Sequence, residues 1–139
     1  MDQFLINQKL ESLRHCVMRL ESRCPSSVEA LEADVDAQDI LALNLTRAVQ
    51  LCVDIASHWI AEHHELTSPI TMGQSFEVLA GRSVISQELA DNMRKSVGFR
   101  NIVVHNYESV NWQVVFTICR DHLDQFRQFA RVFMDPSLR

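Results

Sequence analysis

Glycine and proline are scarce, three of each in 139 residues. That is too little punctuation for a fold of short strands and tight turns, and it suits a few long helices. Long apolar runs are missing as well: none approaches the roughly 18 residues of a membrane span. The N-terminal stretch MDQFLINQKLESLRH has no basic segment followed by an apolar core, so no signal peptide is expected and the default location is cytoplasmic. Cys16, Cys24, Cys52 and Cys119 show neither CxxC pairing nor the spacing of a small disulfide-rich domain. Three of them fall inside helical apolar patterns, where cysteine behaves as a small hydrophobe, and ordinary reduced thiols are expected. Basic charge is not in excess either. A net charge of −5 excludes whole-molecule attraction to nucleic acid, so any such contact needs a local basic cluster or a site made between subunits. No Gly-rich phosphate loop, nucleophile elbow or paired-carboxylate motif occurs.

What is present is a globular composition, 47% hydrophobic, of a length that one domain spanning residues 1–139 accommodates. Apolar periodicity predicts helices throughout. The first runs from Asp2 to about Arg23, with Ile6, Leu10, Leu13, Val17 and Leu20 on one face, and stops before Pro25. Ser26-Ser27-Val28-Glu29 reads as a capping box that opens a short turn of helix through Ala33. A second long helix is predicted from about Ala37 to His64, broken by Thr67-Ser68-Pro69. Its stripe is Leu41, Leu45, Ala48, Cys52, Ile55 and Trp59, widened by Val49, Val53, Ala56 and Ile60 until it must pack on more than one side. Arg47, Asp54 and His58 form its narrower polar face. Thr71 and Gln74 cap a third helix ending near Gly81, and Ser86 opens a fourth. The fifth is expected to run unbroken from about Asn111 to Met134, before Pro136, with Trp112, Val115, Phe116, Cys119, Leu123, Phe126, Ala130 and Phe133 inward. The expected architecture is an all-α antiparallel bundle of four to five helices.

The fourth helix carries the feature that packing does not explain. At about 100° per residue, Leu89, Met93, Val97 and Val104 align, and Arg100 falls in the middle of that stripe. Phe99, Ile102 and Val103 lie on other faces. A charge on a packing stripe is costly unless it is paired or solvated at a shared cleft. Arg100 and His105 stand about 140° apart on a regular helix. They can meet one ligand only where the helix ends, which the polar Asn106-Tyr107-Glu108-Ser109 stretch suggests, or across an interface, which the apolar Phe99–Val104 run suits. The alternative is a snorkelling arginine beside a satisfied core histidine.

Arg100-Asn101-x-x-x-His105-x-Tyr107 resembles the Arg-x4-6-His motif of HEPN domains, with the polar residue after the arginine, and the His-x-Tyr extension resembles the HepT toxins. The likeness extends to the RAVQLCVDIASH segment, the VGFRNIVVHNY block and the helix order, over most of the chain. It implies a HEPN-like homodimer and a metal-independent endoribonuclease, the toxin of a type VII-like toxin–antitoxin system. Arg100, His105 and Asn101 would be catalytic: the imidazole moves protons near neutral pH, the guanidinium stabilises the phosphorane, and Asn101 orients the phosphate or the ring. Two motifs would share one dimer cleft, with Arg94 and Lys95 adding positive charge. No cofactor is implied beyond AMP as a covalent modification, moved from ATP to Tyr107 by a cognate minimal nucleotidyltransferase antitoxin. Without that modification Tyr107 would be a ring packed at a helix end. Asp54 lies where the family often places an acidic residue facing the site, to brace Arg100 or His105, and reads equally as a plain polar-face residue. His58, His63 and His64 lack a Cys or acidic partner to complete a metal site, and His15 and His122 fall on polar faces. The rival functional reading is a non-catalytic HEPN adaptor that binds a nucleotide and docks a nucleotidyltransferase.

Overall fold

The starts of α-helices in this chain, all but the last, are set by side chains that accept amide protons with no partner inside the helix. The computed structural model describes residues 2–63, 65–69 and 71–135. Asp2 accepts from Leu5 at the start of α1 (Gln3–Arg23), Ser27 from Ala30 at α2 (Val28–Glu32), and Asp34 from Ala37 at α3 (Val35–Ala61). Thr71 and Gln74 form a reciprocal capping box on α4 (Met72–Gly81), and Ser86 accepts from Leu89 at α5 (Gln87–His105). A 3₁₀ turn, Tyr107–Ser109, leads to α6 (Trp112–Asp121), capped by Asn111, and then to α7 (Asp124–Met134). No strand occurs among the described residues, and the protein is an all-α bundle.

α3 is the axis of the bundle. Its whole expected stripe, Leu41 through Trp59 with Val49, Val53, Ala56 and Ile60, is buried. Every other α-helix packs on it directly. By length and mean hydropathy (1.3) α3 is long and apolar enough to cross a membrane, unlike what the short apolar runs suggested, but 56% of that window is buried inside the bundle. It runs antiparallel to α1, where Lys9 meets Asp54, and to α5, where Gln50 meets Arg100 and Asp39 meets Tyr107. The four cysteines are free thiols. Burial, with Cys24 nearby, pushes the Cys119 thiol up to about 12, and burial above all lifts Cys52 well above its ordinary value.

Three expectations about the helices need correction. α3 ends at Ala61 rather than at His64, well before Thr67-Ser68-Pro69. The His63 ring stacks on Trp59 at 3.8 Å and its Nδ1 lies 2.7 Å from the Trp59 carbonyl oxygen, so a side chain closes the helix where a proline was expected to. His64 and Pro136 lie outside the described residues. The single fifth helix is two helices, broken at His122 and Leu123. The break lets α6 lie on α2 while the aromatic face of α7 turns toward α1 and α5. Leu123 is buried at the corner, and Arg120 donates to the Ser26 carbonyl at 3.0 Å. Finally, the inward stripe of α5 changes along its length. Leu89, Met93 and Val97 are buried as expected, but Phe99 and Val103 continue the core while Val104 is 48% exposed. Toward its C-terminus α5 settles against α3 around Ala42 and Thr46, which rotates the buried face.

The aromatic cluster gives the core its largest single contributions. Phe129 is fully buried, edge-on to Phe76 at 5.8 Å and tilted against Phe133 at 4.9 Å. Phe129→Ala is expected to destabilise the fold by about 3–5 kcal/mol, read as a lower urea midpoint with unchanged slope. A midpoint shift of less than about 1 kcal/mol equivalent would show that the cluster is not part of the cooperative core.

Candidate functional site

The site forms where α5 runs out. His105 is its last residue, Asn106 leaves helical geometry (φ −152°, ψ 65°), and its N–H still donates to the Ile102 carbonyl at 2.8 Å. The chain then doubles into the 3₁₀ turn, so His105 stands exposed at a rim rather than inside a packed stripe. Arg100 is half-buried on the same helix, about one and a half turns earlier.

The Arg100 guanidinium is held by amides. Nη1 donates to Asn101 Oδ1 at 3.0 Å and Nη2 to Gln50 Oε1 at 3.4 Å, while the buried Nε has no partner. Gln50 Nε2 donates to Asp54 Oδ1 at 2.9 Å, and Lys9 Nζ to Asp54 Oδ2 at 3.4 Å. A polar chain thus runs from α1 through α3 to α5. Asp54 braces Arg100 at one remove, through Gln50, and Lys9 balances its charge. Among the described residues no carboxylate pairs with Arg100. The guanidinium is oriented by neutral groups and keeps its whole charge for an incoming anion.

Arg94 and Lys95 do not reinforce this centre within one chain. Arg94 is engaged with Glu77 of α4 at 2.6 Å and lies 3.9 Å from Asp91. It stands about 120° around the helix from Arg100. Lys95, about 140° away, borders a separate polar cavity of about 560 Å³ between α5, α6 and α7, with Asn92, Ser96, Gln113 and His122. His15 and His122 are exposed.

Tyr107 is tied at both ends of its ring. Its edge meets Trp112 at 5.8 Å, and its hydroxyl donates to Asp39 Oδ1 at 2.7 Å across to α3. It is nonetheless 39% exposed, beside a shallow apolar cleft of about 280 Å³ lined by Ala42, Leu43, Thr46, Val103 and Val104. Partial burial, then the hydrogen bond and charge of Asp39, push the phenol up to about 12. Leu43, Ile102 and Val104 are also exposed around the site.

Of the residues singled out in the sequence, Arg100, Asn101 and Asp54 are joined in one polar chain and Tyr107 stands apart on Asp39; Gln50, Lys9 and Asp39 are not singled out there. Gln50 is four residues before Asp54 on the same face of α3, a signal available in the sequence. Lys9 and Asp39 join only through tertiary packing.

Comparisons with known proteins place the chain in a family. The family model described as ribonuclease HepT-like matches residues 13–133. A Shewanella oneidensis protein named mRNA nuclease HepT is 36% identical over 132 residues, covering 95% of this chain and 97% of its own length. A solved structure of a tri-AMPylated Shewanella oneidensis HEPN toxin in complex with MNT antitoxin superposes with a TM-score of 0.86 at 34% identity, over 96% of this chain and 98% of that one. A toxin–antitoxin crystal structure with AMP-PNP matches with a TM-score of 0.85 at 34% identity, over 95% and 98%. With a matching family model over most of its length and a relative above one-third identity, this chain belongs to the HepT-like ribonuclease family.

Proposed function

We propose that the protein is the toxin of a cytoplasmic toxin–antitoxin pair, an endoribonuclease that works without a metal ion and is silenced when a minimal nucleotidyltransferase transfers AMP to Tyr107. The observation that carries the nuclease half is the Arg100 guanidinium, fixed at the rim by Gln50 and Asn101, with no carboxylate pairing it among the described residues, on the helix whose last residue is the exposed His105. RNA supplies its own nucleophile. The 2′-oxygen attacks the adjacent phosphorus and gives its proton to one imidazole, the bond to the 5′-oxygen breaks, and a second imidazole protonates that oxygen. Arg100 stabilises the charge on the phosphorane oxygens. The products are a 2′,3′-cyclic phosphate and a 5′-hydroxyl.

One His105 does not act as acid and base in the same turnover, so two copies face one phosphate in a homodimer. The exposed Leu43, Ile102 and Val104 around the site are the apolar surface such a dimer would cover. The substrate is cellular RNA, messenger or transfer, and the silencing partner is of the kind bound to the tri-AMPylated Shewanella toxin. AMP on Tyr107 would place a phosphate and an adenosine beside Arg100, satisfying its charge and blocking access to the phosphate site.

Purified protein is expected to cleave RNA in EDTA and leave cyclic phosphate ends. Arg100→Ala and His105→Ala should each lower the rate by at least about 100-fold with an unchanged helical circular dichroism signal. If either variant cleaves at the original rate, that residue is not part of the site. If the unaltered protein cleaves nothing, a nucleotide-binding adaptor becomes the better account. Tyr107→Phe should keep the nuclease and its toxicity while the nucleotidyltransferase no longer labels or rescues it. Label that persists on this variant places the acceptor elsewhere.

A further inference from the structure

The Tyr107 phenol has a property that an AMP acceptor must overcome. With its ionisation pushed up to about 12 by burial and Asp39, the phenol is neutral at pH 7, and the neutral phenol is a weak nucleophile. Attack therefore requires that the proton leave as the new bond forms, to a base already in contact with the oxygen. The structure supplies one. The hydroxyl donates to Asp39 Oδ1 at 2.7 Å, the distance of a strong charge-assisted bond. Among the described residues Tyr107 makes no other side-chain hydrogen bond, and none joins it to His105, its near neighbour in sequence. The Trp112 edge contact holds the ring with its O–H toward α3, and the residue as a whole stays 39% exposed.

We infer that Asp39 is the general base for AMP transfer to Tyr107, so that the protein being modified contributes a catalytic group to its own modification. This rests on Tyr107 being the acceptor, as proposed above. As the Tyr107 oxygen attacks the α-phosphorus of a bound nucleoside triphosphate, the oxygen–phosphorus bond forms and the bond from the α-phosphorus to the bridging oxygen breaks. Pyrophosphate leaves, and the phenolic proton passes to the Asp39 carboxylate. Asp39 is exposed, near the beginning of α3, and returns the proton to water. The nucleotidyltransferase supplies the nucleotide and its activation, and Asp39 supplies the proton acceptor.

The test is single-turnover transfer from labelled ATP with the purified nucleotidyltransferase at saturating concentration, comparing the unaltered protein with Asp39→Asn, Asp39→Glu and Tyr107→Phe. Asp39→Asn keeps an oxygen to accept the hydrogen bond but cannot take up the proton as a carboxylate does. It is expected to slow labelling by about 100-fold while RNA cleavage stays within about twofold and the affinity for the partner is unchanged; Asp39→Glu recovers most of the rate. Labelling of Asp39→Asn at the original rate would overturn the inference and leave Tyr107 as acceptor. So would a slow rate accompanied by an equal loss of partner affinity or of RNA cleavage, since Asp39 would then act through docking or folding. No label on the unaltered protein, or label persisting on Tyr107→Phe, overturns the choice of acceptor and the role of Asp39 with it.

Discussion

Burial of α3 on nearly every side is the constraint from which the rest of this bundle follows. A helix that packs against α1, α4 and α5 at once has room for only a thin polar strip, and whatever lies on that strip is held by neighbours rather than by water. Gln50 and Asp54 occupy it. Because α1 and α5 both run antiparallel to α3, the strip links Lys9 on one side to Arg100 on the other. An arginine that would be an error in an ordinary packing stripe is thereby given a defined direction without losing its charge. A buried ion pair would have oriented it too, but at the cost of neutralising its charge.

The same antiparallel pairing sets the distance between chemistry and control. α5 descends along α3 from Gln50 toward Asp39, and the turn after His105 carries Tyr107 onto the beginning of α3. The proposed nuclease residues and the proposed acceptor are therefore neighbours on one short stretch of chain, yet Arg100 and Tyr107 lean on different residues of α3. On the proposed reading, that separation would let Tyr107 receive a covalent group without prior disturbance of Arg100.

Much of this is legible in the residue order because it depends on local rules. The capping residues Thr71 and Ser86 fix helix starts to within a few positions, the box expected on Ser26 and Glu29 is replaced by a cap one residue later at Ser27, and the unusually wide apolar band of α3 requires burial on several sides. Arg100 stands out by periodicity alone as a cation on a packing stripe, and the His-x-Tyr pattern that follows it carries the family resemblance. What is not legible depends on tertiary contacts. Neither glycine nor proline marks the α6–α7 break at His122, and the end of α3 is made by a histidine ring folding back on Trp59. The rotation that buries Phe99 and Val103 and exposes Val104 comes from a neighbouring helix, which periodicity along α5 cannot register. Arg94 resembles support for the site because it is close in sequence, but Glu77 on α4 takes its charge.

The hydrogen bond from Tyr107 to Asp39 has an outcome beyond the transfer step itself. An esterified tyrosine oxygen has no hydrogen to give, and the phosphodiester it carries is an anion standing next to a carboxylate. The contact that secured the ring would become a repulsion of like charges. On the proposed reading, Asp39 would push the adduct off α3, so that the residue inferred to help install the group would also free it to turn along α5 toward Arg100.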